Sequence, residues 1–331
     1  MTKRLMIVDS HNQFLRSYIV DPSVSSHGNP IGGCKGFLKI LNKLCREIKP
    51  DLVAVVWDGE GGSAKRRSQN KNYKMGRKPP RLNRFDNNLS QEEQENNKIW
   101  QQVRAMDYLN DTPVIQFIEP GVEADDVISY IKSMTQFADW QKVIVSSDKD
   151  FIQVLDKKTV LFRPTQSEVL NTPKILEKYE IHPNNFALAR AIVGDKSDNL
   201  AGVPGVGLAT VSKRFPFLKE EKEYYIQDII DECNNNAESK LKLYTNVAEN
   251  ENLIKDNYKI MQLSAPSISI QTKSKINTTF DNYVPEYNKT LMLSKMIKDG
   301  LGEIKLESLE QTFKRSKNTF FSFKEDLSMI F

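Results

Sequence analysis

The sequence predicts an α/β fold in which a mostly parallel sheet is covered on both faces by helices. Short, continuous apolar runs alternate with segments whose apolar residues recur at helical spacing. A chain of 331 residues has room for one large domain or two modest ones, and a hydrophobic fraction of 39% is enough for a core. This alternation favours a sheet layered between helices.

Four apolar runs in the N-terminal half are predicted to be strands. They span residues 5–8, 52–57, 114–117 and 143–145. Segment 36–48 places its apolar residues on one helical face, and Ala124 opens a further helix that continues to Met134. The chain therefore alternates between strands and helices.

Carboxylates follow three of the predicted strands. Asp9, Asp58 and Asp148 each come just after an apolar run, and ligands bind beyond the carboxyl ends of such strands. Asp also terminates strands and caps helices without any ligand, which explains any one position but not the set. Oxygen ligands select hard cations, so Mg²⁺ or Mn²⁺ is expected. Further acidic residues at equivalent edges are Glu123, Asp125, Asp126 and Asp150.

Composition argues against several other kinds of site. The three cysteines form no CxxC pair, which argues against a zinc ribbon or a disulfide scaffold and suits a reducing cytoplasm. Three histidines argue against a histidine-rich metal site or Ser-His-Asp chemistry. The N-terminal apolar run is too short for a signal peptide, and no run could span a bilayer. A cytoplasmic protein is expected.

A basic stretch without any acidic residue spans residues 61–83 and follows Asp58. Leaving the sheet beside the predicted metal site, it is expected to bind phosphates, although a solvated basic loop is the alternative. Tyr73 offers a surface for base stacking. The candidate nucleic-acid contacts are Lys65, Arg66, Arg67, Lys71, Tyr73, Lys74 and Arg77.

A glycine-rich turn precedes a predicted helix that starts near Leu208. Such a turn presents free backbone N–H groups, and its glycines allow close approach of a phosphate. Segment 186–193 is predicted to be the first helix of a helix–hairpin–helix, which binds duplex backbone without reading bases. Tight turns use the same residues for purely structural reasons. The hairpin glycines are Gly202, Gly205 and Gly207.

Two carboxylates, Asp195 and Asp198, lie directly upstream of this hairpin. They are expected to reach back to the metal crevice while the hairpin holds a duplex further along. The stretch 192–215 would then set a distance between the cutting centre and the bound duplex.

In this order, the motifs resemble the structure-specific 5′ nucleases. This group contains the flap endonucleases, the 5′ nuclease domain of bacterial DNA polymerase I, and phage 5′ nucleases such as the T-even-type phage RNase H. The resemblance extends over residues 1–263. It rests on Asp9, Asp58, YKMGR at 73–77, GVEADD at 121–126, SSDKD at 146–150 and GDKSDNLAGVPGVG at 194–207.

The resemblance implies three regions. A PIN-like, Rossmann-type catalytic domain would occupy residues 1–180, with a basic helical arch at 61–100. A helix–hairpin–helix subdomain would follow at 181–263, and a C-terminal extension at 264–331. Segment 264–284 is predicted to be a linker or an extended edge, and 287–297 a helix.

The resemblance also implies residue roles. Two Mg²⁺ ions, with Mn²⁺ as a substitute, would activate water and stabilise charge on the phosphate. Lys74 and Arg77 match residues that contact the scissile phosphate, and Asp126 and Asp148 are counted with them as catalytic. K⁺ binding at the hairpin is left open. The implied metal ligands are Asp9, Asp58, Glu123, Asp125, Asp126, Asp148, Asp150, Asp195 and Asp198, and the implied duplex contacts are Gly202, Gly205, Gly207, Thr210 and Lys213.

The implied activity is that of a 5′→3′ exonuclease and flap endonuclease that removes RNA primers and displaced 5′ ends during replication. Its substrates would be flap, 5′-overhang or nicked duplex DNA and RNA–DNA hybrids, and a monomer is expected. The size is most similar to that of a phage enzyme. A non-catalytic junction-binding protein of the same fold is the alternative. A small PIN-type ribonuclease would leave the hairpin and the basic arch unexplained.

The last six residues, 326–331, resemble short clamp-binding peptides that place a Leu and a terminal aromatic residue in a hydrophobic groove. A sliding clamp or a single-stranded-DNA-binding protein is the partner that this implies. A tail that packs on its own domain is the alternative.

Overall fold

The computed structural model describes residues 2–78, 80–83, 89–239 and 241–328, with side chains described as far as residue 319. Within these residues the strands form one six-stranded sheet of order β3-β2-β1-β4-β5-β6, in which only β6 is antiparallel to its neighbour. The strands are β1 (Arg4–Asp9), β2 (Leu52–Trp57), β3 (Ile115–Ile118), β4 (Gln141–Val145), β5 (Thr159–Arg163) and β6 (Glu168–Leu170).

The strand order reverses direction between β1 and β4. From β1 the chain builds outward to β2 and β3, then returns to add β4, β5 and β6 on the other side. In open α/β sheets the crevice for a ligand lies at the carboxyl ends of the strands at such a reversal. The topology therefore marks the end of β1 and the end of β4 as the place for a site.

Helices cover both faces of the sheet. The helices are α1 (Ser10–Val20), α2 (Gly32–Ile48), α3 (Ala64–Gln69), α4 (Gln91–Leu109), α5 (Ala124–Ser133), α6 (Thr172–Tyr179), α7 (Pro183–Val193), α8 (Leu208–Arg214), α9 (Ile226–Asn235), α10 (Lys242–Glu249), α11 (Glu251–Met261), α12 (Ile270–Asp281), α13 (Lys289–Lys298) and α14 (Glu307–Ser328).

Two hydrophobic cores lie on opposite faces of the sheet, because successive side chains of a strand point to opposite faces. Leu5 and Ile7 of β1 belong to the core that contains α5 and α7. Met6 and Val8 belong to the core formed with α1, α2 and α4. Burial on both faces explains why the central strands are apolar throughout.

The α/β prediction is confirmed, and each of the four predicted strands is present. The run at 114–117 is shifted by one residue, to Ile115–Ile118. Strands β5 and β6 were not predicted. The first exposes part of alternate side chains and the second has three residues, so neither carries a continuous apolar run.

The predicted helix–hairpin–helix is formed by α7, the segment 194–207 and α8. The first helix begins at Pro183, three residues before its predicted start, because His182 caps it and Pro183 suits the first helical position. The second begins at Leu208, as predicted. Asn257 of α11 ties the unit together, since its Nδ2 donates to Ala191 O (3.0 Å) and Ala201 O (2.8 Å).

The basic stretch begins the segment predicted to be an arch at 61–100. The segment 61–100 contains α3, and its last ten residues form the start of α4. Ser90 and Glu93 form a capping box at the start of that helix. Gln101 and Tyr108 of α4 are buried. The proposed domain limits remain predictions.

The prediction that segment 264–284 is a linker or an extended edge is wrong. Helix α12 occupies most of this segment and buries Ile276 and Phe280 against the sheet. The Phe280 ring lies 5.1 Å from that of Phe117 and 5.0 Å from that of Phe137. Two buried residues in a polar helix give a weak periodic signal, so the pattern was missed.

The rest of the C-terminal region also packs on the sheet domain. The predicted helix at 287–297 is confirmed as α13. In α14, Leu309 is buried and Arg315 Nε donates to Pro50 O (3.0 Å). Residues 329–331 and the side chains from 320 onward lie outside the described residues, so the clamp-binding peptide stays a prediction.

None of the helices in the described part of the chain is both long and apolar enough to cross a membrane.

Packing of α12 is expected to contribute strongly to stability. Phe280→Ala removes a buried ring between two other rings and should lower the free energy of unfolding by about 3–5 kcal/mol. Urea unfolding followed by circular dichroism measures this loss. Ile270→Ala, at an 81% exposed position of the same helix, is the control and should change the free energy by less than about 0.5 kcal/mol. Equal effects of the two substitutions would contradict the packing of α12.

Candidate metal centre and its basic cover

Asp9 lies at the reversal of strand order and is fixed from two sides. It is the last residue of β1 and the N-cap of α1, where Oδ1 accepts a hydrogen bond from Asn12 N (3.2 Å). Its Oδ2 accepts from Ser146 Oγ (2.7 Å), in the residue that follows β4. The side chain is therefore held between the ends of the two central strands.

Asp58, Asp125 and Asp148 join Asp9 in a first acidic group. Asp58 follows β2, and its Oδ1 accepts from Ala124 N (2.9 Å) at the start of α5. Asp148 lies just beyond β4, where its N–H donates to Ser146 Oγ (3.0 Å). Asp125 is in the first turn of α5. Three strand ends and one helix start thus bring four carboxylates together.

The pKa values of this group reflect burial and repulsion. Burial, joined by the charges of Asp58 and Asp148, raises the pKa of Asp9 to about 7 although the hydrogen bond from Ser146 lowers it. Burial also raises the pKa of Asp125 well above its usual value, with the charges of Asp148 and Asp9 acting in the same direction. Ionised together, these carboxylates need a counter-charge.

A second acidic group contains Asp150, Asp195 and Asp198. One carboxylate oxygen of each lies within 4.8 Å of the others. Burial and the charge of Asp148 raise the pKa of Asp150 to about 7, although the charge of Arg190 lowers it. Asp148 acts electrostatically on both groups and links them. The structure thus brings the hairpin carboxylates Asp195 and Asp198 to the sheet, as expected.

The second acidic group fits a divalent metal ion. Within the described residues, the cluster that has metal-ligand geometry offers carboxylate oxygens only, with no His or Cys. Such a donor set suits a hard cation. Burial raises the pKa values of Asp9 and Asp150 to about 7, with repulsion from neighbouring carboxylates acting in the same direction. A cation there would remove this repulsion.

Glu123 is covered by the basic stretch instead of lying in either acidic group. It accepts hydrogen bonds from Lys74 Nζ (2.6 Å) and Tyr73 OH (3.1 Å) and pairs with Arg66. Burial alone would raise the pKa of Glu123, but the charges of Lys74 and Arg66 outweigh it and lower the pKa. Glu123 therefore anchors the basic stretch beside the carboxylates.

A second anchor ties the basic stretch to the hairpin. Arg77 pairs with Asp198, and Lys74 N donates to Asp198 O (2.9 Å). Asn199 Nδ2 donates to Asn72 O (3.0 Å). Lys74 and Arg77, predicted to contact a scissile phosphate, thus lie between Glu123 and the second acidic group.

Two residues predicted to contact nucleic acid are buried. Arg66 is 8% exposed, and its Nε donates to Ile260 O (2.9 Å). Tyr73 is 3% exposed and packs with Ile260 and Met261, so it offers no surface for base stacking. Both predictions are corrected. A run of cations does not reveal which of its members turn inward to meet buried carboxylates.

Asp126 is not brought into either acidic group. Its Oδ1 accepts from Ser267 N (2.7 Å), and its Oδ2 lies 2.8 Å from Arg66 Nη1. Neighbouring residues of a helix point about 100° apart, so Asp126 turns away from the cluster that Asp125 joins. The predicted roles of Asp126 as ligand and catalytic residue are corrected to one of positioning Arg66.

The other predicted contacts are at the surface. Lys65, Arg67 and Lys71 are exposed on the basic stretch. Thr210 is partly buried, and Lys213 is exposed on α8.

Two of the hairpin glycines, Gly205 and Gly207, have open space where a side chain would lie. Gly205 also has a φ of +77°, which favours glycine. Gly202 is needed for packing, since a Cβ there would lie 1.9 Å from Val193 O.

The sequence did not lead us to predict a role for Arg190 in the site. On α7, its Nη2 donates to Asp150 Oδ1 (3.0 Å) and also pairs with Asp195. It is thus the cation of the second acidic group. An arginine on the helix directly before the GDKSDN motif, about one turn from Asp195, was the available signal.

The raised pKa of Asp9 predicts how stability changes with pH when metal is removed. With a folded pKa of about 7 and an unfolded one of about 3.9, the folded state favours the protonated carboxyl. This stabilising contribution is complete below about pH 4 and is lost as the pH rises through about 7. In a chelator, the unfolding temperature of Asp9→Asn should therefore fall less from about pH 5 to about pH 8 than that of the unmodified protein.

Differential scanning fluorimetry across this range makes the comparison. Asp231→Asn, at an exposed position of α9, is the matched control and should follow the unmodified protein. Parallel profiles for Asp9→Asn and the unmodified protein would contradict the raised pKa.

Solved structures support the fold. The bacteriophage T5 flap endonuclease, in a pseudo-enzyme-product complex with DNA and metal ions, superposes with a TM-score of 0.64. The superposition covers 95% of this chain and 100% of that one, at 19% identity. At this identity, the likeness establishes the shared fold.

Sequence relatives identify the family. DNA polymerase I of Caldicellulosiruptor bescii is 31% identical over 229 residues, which cover 67% of this chain and 25% of that protein. The 5′-3′ exonuclease of Buchnera aphidicola subsp. Schizaphis graminum is 30% identical over 226 residues, 66% of this chain and 72% of that protein. The chain thus spans about a quarter of the length of the polymerase. Residues 4–180 match the family model of the 5′-3′ exonuclease N-terminal resolvase-like domain, and the chain belongs to the 5′-3′ exonuclease family.

Proposed function

We propose that this protein is a divalent-metal-dependent 5′→3′ exonuclease and structure-specific flap endonuclease. It would hydrolyse phosphodiesters at the 5′ ends of DNA or RNA primers on duplex DNA, in replication and primer removal. The observation that carries the proposal is the pair of acidic groups linked by Asp148, with Lys74 and Arg77 lying over them. The 5′-3′ exonuclease relatives support the reaction class.

The acidic groups would hold two Mg²⁺ ions, with Mn²⁺ as a substitute. Asp9, Asp58 and Asp125 would hold one ion, and the second acidic group would hold the other, with Asp148 between them. Bound there, the ions would lower the pKa of a water molecule and stabilise the negative charge on the phosphate oxygens. The hydroxyl of Ser146 donates to the Asp9 carboxylate and accepts from the backbone N–H of Asp148, which ties Asp9 to the loop that carries Asp148.

Lys74 and Arg77 would exchange carboxylate partners for phosphate oxygens. Each is now paired with a carboxylate, Lys74 with Glu123 and Arg77 with Asp198. Lys74 would turn from Glu123 and Arg77 from Asp198 to contact a scissile phosphate. Cations fixed where negative charge develops stabilise the transition state. Arg66 and Tyr73 stay buried and hold the stretch in position.

The substrate would be gripped by its backbone on both sides of the cut. At the hairpin, Gly205, Gly207 and Lys213 suit a duplex phosphate. The same hairpin would bind K⁺. The exposed lysines and arginine of the basic stretch suit a single-stranded 5′ end. Flap, overhang or nicked DNA and RNA–DNA hybrids meet both requirements, with the protein acting as a monomer.

Removal of one bridging carboxylate should separate cutting from binding. Asp148→Asn is expected to lower Mg²⁺-dependent cleavage of a 5′-labelled flap duplex at least about a hundredfold, because it weakens both ion sites. Flap binding, measured by fluorescence anisotropy, should stay within a few-fold, because the hairpin and the exposed cations are unchanged.

Asp231→Asn is the matched control and should cut at the unmodified rate. A chelator should abolish cleavage by the unmodified protein. Binding by the unmodified protein without any cutting in Mg²⁺ or Mn²⁺ would refute the enzyme and favour the non-catalytic junction-binding alternative.

The exposed part of the basic stretch should determine the salt dependence of binding. Replacing Lys65, Arg67 and Lys71 with Gln removes three phosphate contacts, so the slope of log K against log salt for a flap substrate should fall by about 2 to 3. Anisotropy titrations over a salt series give the slope.

Lys298→Gln, an exposed charge change on α13, should leave the slope unchanged. An unchanged slope for the triple variant would place the 5′ strand elsewhere on the surface.

A further inference from the structure

A cavity of about 530 Å³ lies at the edge of the sheet opposite to the acidic groups. It is bounded by the start of β4, the loop before β5, the first residues of α6 and α7, and the segment after α8. Because β4 and β5 are parallel, the starts of both lie at the edge where neither Asp9 nor Asp148 is found. The cavity is therefore separate from the candidate metal centre.

Lys142 lines this cavity with an ammonium group that has no partner within the described residues. The residue is 4% exposed. Across the ranges that the structure describes, its Nζ makes no hydrogen bond and has no carboxylate within 4.0 Å. Burial lowers the pKa of Lys142, which the charge of Asp156 only partly opposes. The side chain is thus mostly enclosed, while its Nζ stays accessible from the cavity.

Asp156, the carboxylate whose charge acts most on Lys142, is already engaged. Its Oδ1 accepts from Lys158 N (2.8 Å), and its Oδ2 lies 2.9 Å from Lys132 Nζ. It therefore gives Lys142 no close counter-ion. The positive charge of Lys142 at the cavity wall remains uncompensated at contact distance.

His182 supplies a neutral donor on the same wall. Its Nδ1 accepts from Asn184 N (3.2 Å) as the N-cap of α7, so the neutral ring carries its proton on Nε2. Burial lowers the pKa of His182, which keeps the ring neutral near pH 7. The positive end of the α7 dipole lies at this point as well.

Two further lysines of the wall, Lys157 and Lys219, are held only weakly. Four lysines and two carboxylates line the cavity. Lys157 lies 3.4 Å from Glu221, and Lys219 lies 3.5 Å from Glu180, with all four side chains more than half exposed. Exposed pairs of this kind contribute little, so these lysines can turn to an anion at small cost.

We propose that this cavity binds a phosphate group, held by the Lys142 ammonium and the His182 Nε2–H. A phosphate anion supplies the counter-charge that Lys142 lacks and accepts from both donors. The volume falls within the range of small-molecule sites and exceeds what orthophosphate alone requires, so the 5′-phosphate of a mononucleotide fits as well. The proposal does not rest on the nuclease activity.

Calorimetric titration of the full chain in a chelator tests the site. The probes are inorganic phosphate, deoxyadenosine 5′-monophosphate and deoxyadenosine. Phosphate and the monophosphate should each bind at one saturable site, and deoxyadenosine should not bind. Equal affinity for the two phosphates would identify the free ion as the ligand, and tighter binding of the monophosphate would identify a mononucleotide. Absence of saturable phosphate binding would overturn the proposal.

Substitutions locate the binding. Lys142→Met should weaken phosphate binding about tenfold or more, because it removes the charged donor. Lys178→Gln, an exposed change on α6 beside the cavity but not on its wall, is the matched control and should bind as the unmodified protein does. Equal binding by Lys142→Met and the control would refute the site.

Two further variants keep the test decisive. Lys142→Gln repeats the measurement with a polar residue if the Met variant fails to fold; a fold intact by circular dichroism with unchanged phosphate affinity would overturn the proposal. Arg77→Gln removes a cation of the basic stretch and should leave phosphate binding unchanged. Loss of binding in Arg77→Gln instead would place the phosphate beside the metal centre and overturn the proposal.

Discussion

Repulsion between neighbouring carboxylates is the constraint on which the rest of the site depends. The first and second acidic groups lie at one edge of the sheet, and burial together with mutual repulsion raises the pKa values of Asp9 and Asp150 to about 7. Such an arrangement is destabilising unless cations lie nearby. Arg190, Lys74 and Arg77 provide part of that charge.

The topology of the sheet is what gathers these carboxylates. The strand order reverses between β1 and β4, so the ends of these two strands lie side by side while the chain continues from them towards opposite sides of the sheet. The two hydrophobic cores hold those ends rigidly from both faces. Ser146 then joins Asp9 to Asp148 through a single hydroxyl. The layers position the strand ends, and the candidate ligands lie at those ends, in the first turn of α5 and in the adjoining loops.

The basic stretch divides into inward and outward residues, and the two sets do different work. Arg66 and Tyr73 are buried against Glu123 and the end of α11, so they fix the base of the stretch. Lys65, Arg67 and Lys71 face solvent. Lys74 and Arg77 lie between these sets, paired with Glu123 and Asp198. The stretch is therefore both a structural cover and a candidate phosphate contact.

The sequence by itself determined the central strands, the acidic strand ends and the hairpin. These features are local: an apolar run with an Asp at its end, or glycines before a helix, carries its meaning within a few residues. The short strand β6 and the polar helix α12 lacked such signals and are stabilised by packing that the sequence does not display. The side-chain directions of Arg66 and Asp126, and the position of Arg190 between two carboxylates, were decided by tertiary structure alone. Each depends on which distant charge lies opposite, since a buried ion must be paired with a partner that only the folded chain brings near.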